Sequence, residues 1–437
     1  MGGGNGKDDK QNFGRTIMTT RRTFIQGVSG AAVAVAATAL LPKAAYAADT
    51  VTLWSWRTDD QVAMRKMFDV FESKNADVKV DLQFTADADY QNRLSTALRG
   101  GKGPDIAQLK AYGELQPLVE AGYLDALNDS VPGIATMPQA ASGGAMAKSD
   151  GKFYGVPYSI PILCVFYNTE LFDKAGIKVP TTYAEHIDNC KKLKAAGITP
   201  IATGGANGSG WELELGVGVL GPSVYGADFY DAMMSGKAKF TDPKYVAALQ
   251  RFKDMLPYYE DGFAGVDYTA ATQLFVSGKA AMFLGGSFEN GSFKAQNPNL
   301  KFSVFAFPGD TAVDKPVVSA FCDGSYGLVD TSQKKPAALK VLNWMASPEF
   351  AQLFADSVGW PAARPEIKSN DPVLSAMIAM QQNSTPYLTL VGYRWQQPTA
   401  SSIIQAEIID MVTGKMTPEK LAADIDAGVS TWFQPQA

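Results

Sequence analysis

The chain has 437 residues, with 39 Lys and Arg against 44 Asp and Glu, one His and three Cys. An acidic surface argues against nucleic acid or an anionic membrane as partner. The single His excludes any multi-His metal site, and three Cys leave at least one thiol unpaired, so a disulfide framework is not the architecture.

Residues 1–17 are rich in Gly, Asp and Lys without periodicity and read as an upstream extension or tag, with Met18 as a natural start. Residues 18–47 carry Thr20-Arg21-Arg22-Thr23-Phe24-Ile25, the uncharged run Gly27–Leu41, and Ala45-Tyr46-Ala47 before Ala48. A basic segment, an apolar stretch short for a membrane span and an A-x-A site predict a cleaved signal peptide of the twin-Arg type. The other reading is a buried helix with an incidental Arg pair. No Cys stands at the cleavage site, so no lipid anchor is expected, and the product should be free in a bacterial periplasm. Cleavage after Ala47 removes six basic and two acidic residues and takes the formal charge from −5 to −9. The remaining length makes two domains the default count.

VTLWSW at 51–56 reads as a strand, followed by a helix over Gln61–Ser73 with Val62, Met64, Met67, Phe68 and Phe71 near helical spacing. A strand over Val78–Phe84, a helix over Tyr90–Leu98 and a strand over Asp105–Leu109 follow. Short links between alternating strands and helices imply parallel pairing. Ligands then sit off the carboxyl ends of the strands, here Trp56-Arg57-Thr58, Thr85–Asp87 and Lys110–Tyr112. The glycines at 100–103 end a helix and precede a strand, the reverse of a phosphate cradle.

The stretch Asp150–Phe172 organises the chain. Asp150-Gly151 signals a hairpin turn, Pro157 ends a short apolar run, and Ile160–Tyr167 is a buried strand entered through a Pro-kinked crossover. Asn168-Thr169 caps a short helix closed by Gly176. Two α/β halves joined here would have a cleft floored by this stretch; one buried strand of a single domain fits the periodicity equally.

Beyond it, a helix over Thr181–Ala196 places His186 at a surface position and also holds Cys190, and Ile198–Thr203 is a strand. A Gly/Asn loop presents Trp211 ahead of an apolar helix. Segments 243–258 and 270–277 read as helices, and a strand over Ala280–Leu284 ends in Gly285-Gly286-Ser287-Phe288. Glu260-Asp261 reads as a polar turn. Strands at 302–307 and 323–329 precede helices over 336–346, 348–358, 399–412 and 418–433. Trp54, Phe166 and the Cys164 thiol sit mid-strand and belong to the core. There is no GxSxG and no P-loop, and the pattern calls for no cofactor, so it points to binding rather than catalysis.

WSWRTDD, TALRGGKGPDIAQL, DGKFYGVPYSIPILCVFYNTELF, KLKAAGITPIATGG, GKAAMFLGGSF, ASPEFAQLF with SVGWPAARPEI, and MTPEKLAADIDAG occur in that order across essentially the whole mature sequence. In this collinear set the chain resembles the extracellular solute-binding proteins of ABC importers, the sugar-binding family that includes maltodextrin-binding protein. The resemblance implies an α/β fold of two Rossmann-like lobes, a type II periplasmic binding protein with several hinge crossovers. The lobes would be 48–159 plus 318–366 and 160–317 plus 367–437. It implies a monomer that binds a small-molecule carbohydrate and delivers it to permease subunits of an ABC transporter, without enzymatic turnover. The ligand contacts it implies are Trp56, Arg57, Thr58, Lys110, Tyr112, Trp211, Gly286, Phe288, Asp323, Trp360, Tyr393 and Arg394. Phe288 stands where the family usually presents Trp, and no acidic residue accompanies Lys110, which argues against maltodextrin. Asp105 reads as structural. Aromatic rings stack on the C–H face of a pyranose, and charged groups bond its hydroxyls. Arg57, Lys110 and Arg394 in the cleft would suit an acidic, sulfonated or phosphorylated sugar. The rival classes are a secreted glycosidase or lyase and a same-fold binder of iron or polyamine. Hinges are expected near Ser159–Pro161 and Val317–Ala320.

Overall fold

A computed structural model describes residues 48–435 apart from 207, 209, 314 and 365, so the leader expected over residues 1–47 lies outside the described residues. The strands in chain order are β1 Asp49–Ser55, β2 Val78–Phe84, β3 Ile106–Lys110, β4 Val156–Pro157, β5 Leu163–Asn168 and β6 Thr199–Ala202. They continue as β7 Ala280–Gly286, β8 Phe302–Phe305, β9 Val318–Ala320, β10 Gly324–Leu328 and β11 Ser384–Pro386. One sheet has the order β2-β1-β3-β10-β4 and a second the order β6-β7-β5-β8.

In the first sheet β1 runs parallel to β2, from Asp49 opposite Val78 to Ser55 opposite Phe84, and parallel to β3. The helix Gln61–Lys74 buries Met64, Met67, Phe68 and Phe71. Val62, grouped with them by spacing, lies on the opposite face and is 69% exposed. Asp105 ties the sheet together: its carboxylate accepts from the Thr52 amide at 2.8 Å, the Thr52 hydroxyl at 2.9 Å and the Ser332 hydroxyl at 2.6 Å. In the second sheet β5 is antiparallel to both β7 and β8 and is buried over most of its length. The Asn168 side chain caps the following helix by accepting from the Leu171 amide at 3.0 Å, and Gly176 after it has φ 64°.

The segments that join the sheets lie side by side. β9 pairs with β11, Ser159 bridges to Ala362, and Ile162 bridges to Ala320. The Ser159 hydroxyl donates to the Pro361 carbonyl, and Gln381 Nε2 donates to the Ile160 carbonyl at 2.8 Å. Neither β11 nor the helix Pro372–Gln381 is announced by sequence periodicity. The strand is three residues ending in Pro, and the helix is too uniformly apolar to present a stripe.

Four sequence expectations change. Trp54 is half-buried: it packs at the margin of the cluster around Tyr90 and Leu94 and lies under the Arg93 guanidinium, 4.1 Å from its ring centroid, so it borders the core and is not enclosed by it. His186 is fully buried, with its ring 4.7 Å from that of Phe307; it occupies the inward face of its helix, and burial pushes its pKa down to about 4. Glu260 is buried, and its carboxylate accepts from the Thr203 amide at 3.0 Å, so it anchors the end of β6. Cys164 is a buried free thiol as expected, and Cys190 and Cys322 are buried free thiols as well. The fourth concerns Trp360, taken up with the site below.

Asp105→Ala should lower unfolding stability by about 1–2 kcal/mol, because it leaves the partly buried Thr52 and Ser332 donors without their carboxylate. Urea unfolding followed by circular dichroism checks this; a change below about 0.5 kcal/mol would mean that water replaces the carboxylate at no cost.

Candidate functional site

The carboxyl ends of β1 and β3 meet the amino end of β10 at one edge of the first sheet, Gly324 standing opposite Lys110. Gln108 Oε1 accepts from the Ser55 hydroxyl at 2.7 Å and the Trp56 amide at 3.1 Å, which fixes the chain where it leaves β1. The Trp56 ring packs edge-on against Tyr90 at 5.5 Å, and Lys110 Nζ lies 4.4 Å over it while pairing with Asp87. Arg57 Nε pairs with Asp60 at 2.6 Å, and its guanidinium lies 4.9 Å over the Trp360 ring. Burial alone would lower the Arg57 pKa, but the carboxylates of Asp60 and Asp323 outweigh it and hold it above its ordinary value. Asp323 in turn accepts from the Tyr158 hydroxyl. Thr58 is exposed in the turn that follows.

The facing edge belongs to the second sheet, where β7 ends beside Ile162. The Ser287 amide donates to the Ile162 carbonyl at 2.8 Å. A Cβ at Gly286 would stand 2.1 Å from the Phe288 ring, so the glycine is what lets that ring fold back over the strand end. Phe288 meets Trp360 edge-on at 6.3 Å. Next in sequence, Glu289 is buried and accepts from the Tyr268 hydroxyl, and Tyr268 packs against Trp211 at 4.8 Å. Glu212, beside Trp211, is buried; its Oε1 accepts from the Gly204 amide at 2.8 Å and its Oε2 has no hydrogen-bond partner among the described residues. Burial pushes the Glu289 pKa up to about 7, and burial with the neighbouring carboxylates Glu260 and Glu289 pushes Glu212 up to about 8.

The structure therefore brings Trp56, Arg57, Lys110, Asp323, Trp360, Gly286, Phe288 and Trp211 to two edges that face each other across residues 158–162. Trp360, a ligand contact by the family resemblance, is fully buried here, since Arg57, Phe288, Tyr158 and Phe354 enclose its ring. Tyr393 is placed elsewhere, its ring 4.8 Å from Phe240 and 4.6 Å from Phe433 in the apolar core of the second half. Tyr112 and Arg394 form a separate contact between the halves. Tyr112 has φ 59°, and its buried hydroxyl accepts from the Cys322 amide at 2.9 Å. Arg394 pairs with Glu114, and a Cβ at Gly113 would lie 1.9 Å from the Arg394 carbonyl oxygen.

That contact stands between two cavities of about 1050 and 710 Å³, whose linings share Gly113, Pro117, Trp395 and Gln396. The smaller opens between Gln91 and Ser95 on the helix Asp87–Arg99 and Ser401, Ser402 and Gln405 on the helix Ala400–Val412. Neither is lined by Trp56, Trp360 or Phe288, because with Arg57 over Trp360 the aromatic cluster is closed on itself.

Each of the three basic residues expected to serve an anionic sugar is already paired: Arg57 with Asp60, Lys110 with Asp87 and Arg394 with Glu114. Sequence reasoning missed Glu212, Glu289, Tyr268 and Tyr158. The available signal was adjacency: Glu212 and Glu289 each directly follow an aromatic singled out on a Gly-rich turn.

The sequence profile of the bacterial extracellular solute-binding proteins matches residues 54–352, and the chain belongs to that family, whose members are binding proteins and not enzymes. A probable sugar-binding periplasmic protein of Rhizobium meliloti is 27% identical over 351 residues, covering 77% of this chain and 82% of the relative. The multiple sugar-binding protein of Streptococcus mutans is 25% identical, covering 72% of this chain and 75% of its own. Among solved structures, a bacterial solute receptor described by its preference for β-D-galactopyranose superposes with a TM-score of 0.75 at 20% identity, over 88% of this chain and 100% of that one. A solute-binding protein in complex with raffinose gives a TM-score of 0.71 at 21% identity, over 87% and 99%. The fold is that of the type II solute-binding proteins. Among the described residues no helix is long and apolar enough to cross a membrane.

The buried carboxyls set a pH dependence. Their pKa values are raised in the folded state, so their contribution to stability is complete below the ordinary glutamate range and is lost as pH rises through about 7 and 8. The melting temperature of the empty protein should fall between about pH 5 and 8, and Glu289→Gln should flatten that slope. A slope unchanged in the variant, measured by differential scanning calorimetry, would show that Glu289 does not titrate there.

Proposed function

We propose that the protein is the substrate-binding component of an ABC importer, capturing a small carbohydrate between the two sheets and delivering it to permease subunits in the membrane. The observation that carries this reading is Trp360 between Arg57 of one edge and Phe288 of the other, an aromatic and charged cluster assembled from both halves. Membership of the solute-binding family and sugar-binding relatives support it. The lobes are 48–159 plus 318–366 and 160–317 plus 367–437, a division supported by the placement of β10 in the first sheet and β5–β8 in the second. We read the protein as a periplasmic monomer, exported by the twin-Arg route and cleaved after Ala47.

The enclosed aromatic cluster gives the sugar its stacking surfaces only when the edges part, so solute exchange requires the halves to rotate about the segments near 159–161 and 317–320. A solute touching both edges has greater affinity for the closed state and shifts the population toward it. Small-angle scattering with and without a saturating sugar, chosen from a melting-temperature screen of neutral, amino and acidic mono- and disaccharides, tests this. A smaller radius of gyration with sugar is expected; an identical curve at saturation would overturn closure as the signal of occupancy.

Trp211 is half-buried against Tyr268, so Trp211→Ala should weaken sugar binding by about 1–3 kcal/mol while the empty protein keeps most of its stability. Titration calorimetry and thermal melting together separate the two effects. A large drop in melting temperature with unchanged affinity would assign the ring to the core.

A further inference from the structure

Building on the carbohydrate reading, we infer that the cleft takes an amino sugar, whose ammonium is received by Glu289 and Glu212 beside the Trp211–Tyr268 pair. The inference starts from how charge is distributed over the two edges. On the first edge every cation is matched: Arg57 Nε is committed to Asp60 and Lys110 to Asp87. On the second edge neither Glu212 nor Glu289 forms an ion pair among the described residues. Glu289 is bonded by the neutral Tyr268 phenol and Glu212 by one backbone amide, and the buried Glu212 Oε2 has no hydrogen-bond partner among the described residues.

Around Glu212 the nearby charged groups are further carboxylates, Glu260, Glu289 and Asp267; Glu289 feels Asp59 and the attraction of Arg57, itself committed to Asp60, and lies near the neutral Cys164 thiol. An anionic sugar would bring a further negative charge against buried carboxylates, which a site of low polarity resists strongly. A neutral sugar could donate hydroxyls to them but would leave their charge, or their protons, unresolved. An ammonium supplies three donors and a full positive charge, so it would pair with Glu289, satisfy the unpaired Glu212 oxygen, which lies buried over Gly204, and meet the faces of Trp211 and Tyr268, which attract cations. The sugar ring that carries it is the stacking partner for the same aromatics.

Binding then couples to protons. Glu289, held up to about 7 when empty, must ionise to hold an ammonium, so complex formation releases protons near neutral pH and weakens as the solution is acidified. Titration calorimetry of the purified protein with D-glucosamine, D-galactosamine and D-mannosamine, each beside its parent hexose and its uronate, tests this, as do the corresponding disaccharides. The expected result is at least one amine bound about tenfold or more tighter than its neutral parent at about pH 7, with no uronate preferred. Its affinity should fall on going to about pH 5.5, where the amine stays charged, and the measured heat should vary with the ionisation enthalpy of the buffer. In Glu289→Gln and Glu212→Gln, checked for folding by thermal melting, the ratio of amine to neutral affinity should collapse toward one. A uronate or neutral hexose bound as tightly as its amine, or a preference surviving both substitutions, overturns the inference and leaves the carbohydrate reading standing. Binding of no sugar in the panel overturns both.

Discussion

Arg57 is drawn partly out of water where the chain leaves β1, and much of the arrangement around it answers the cost of that partial burial. A guanidinium withdrawn from solvent must be paired and bonded or it destabilises the fold by several kcal/mol. Here Asp60 supplies a direct pair at 2.6 Å, Asp323 adds a second carboxylate, and Trp360 offers its face at 4.9 Å. These partners come from remote parts of the chain. Asp323 lies where the chain returns from β9 to β10, Trp360 follows the helix Pro348–Val358, and Tyr158, which holds Asp323, belongs to the first crossover. One charge thus fixes the relative position of three segments that pass between the sheets. The same segments are joined by the Ser159–Ala362 and Ile162–Ala320 bridges.

How far this was legible in the sequence depended on whether a property is local. The parallel β1–β2–β3 unit, the buried β5 and the Asn168 cap follow from alternation, apolar runs and one side chain reaching its own backbone. The motifs that carry the family resemblance supplied the fold class and named most of the aromatics that the structure brings to the two sheet edges. What could not be read was how tertiary neighbours cover a residue. Gly359-Trp360-Pro361 is a loop by its residues, yet its ring fills the space between Tyr158, Phe354 and Phe288. Tyr393 sits next to Arg394 and Trp395, which do reach the first half, but its own ring turns into the core. His186 and Glu260 look polar and therefore exposed, whereas their elements turn them inward.

The two edges solve the problem of buried charge in different ways. In the first, pairs close within the same lobe, Arg57 with Asp60 three residues on and Lys110 with Asp87 on the neighbouring helix. In the second, Glu212 lies in the first turn of the helix Gly210–Tyr225, and Glu289 is the first residue of the helix Glu289–Gln296. The positive end of a helix dipole favours an anion there by roughly 0.3–2 kcal/mol, which offsets part of the desolvation cost but not all of it, as the raised pKa values record. A carboxyl left in that condition is poised: it is tolerated when protonated, and it gains most from a partner that brings both charge and donors. The edge of the first sheet is therefore electrostatically closed by its own pairs, whereas the carboxyls on the edge of the second are not.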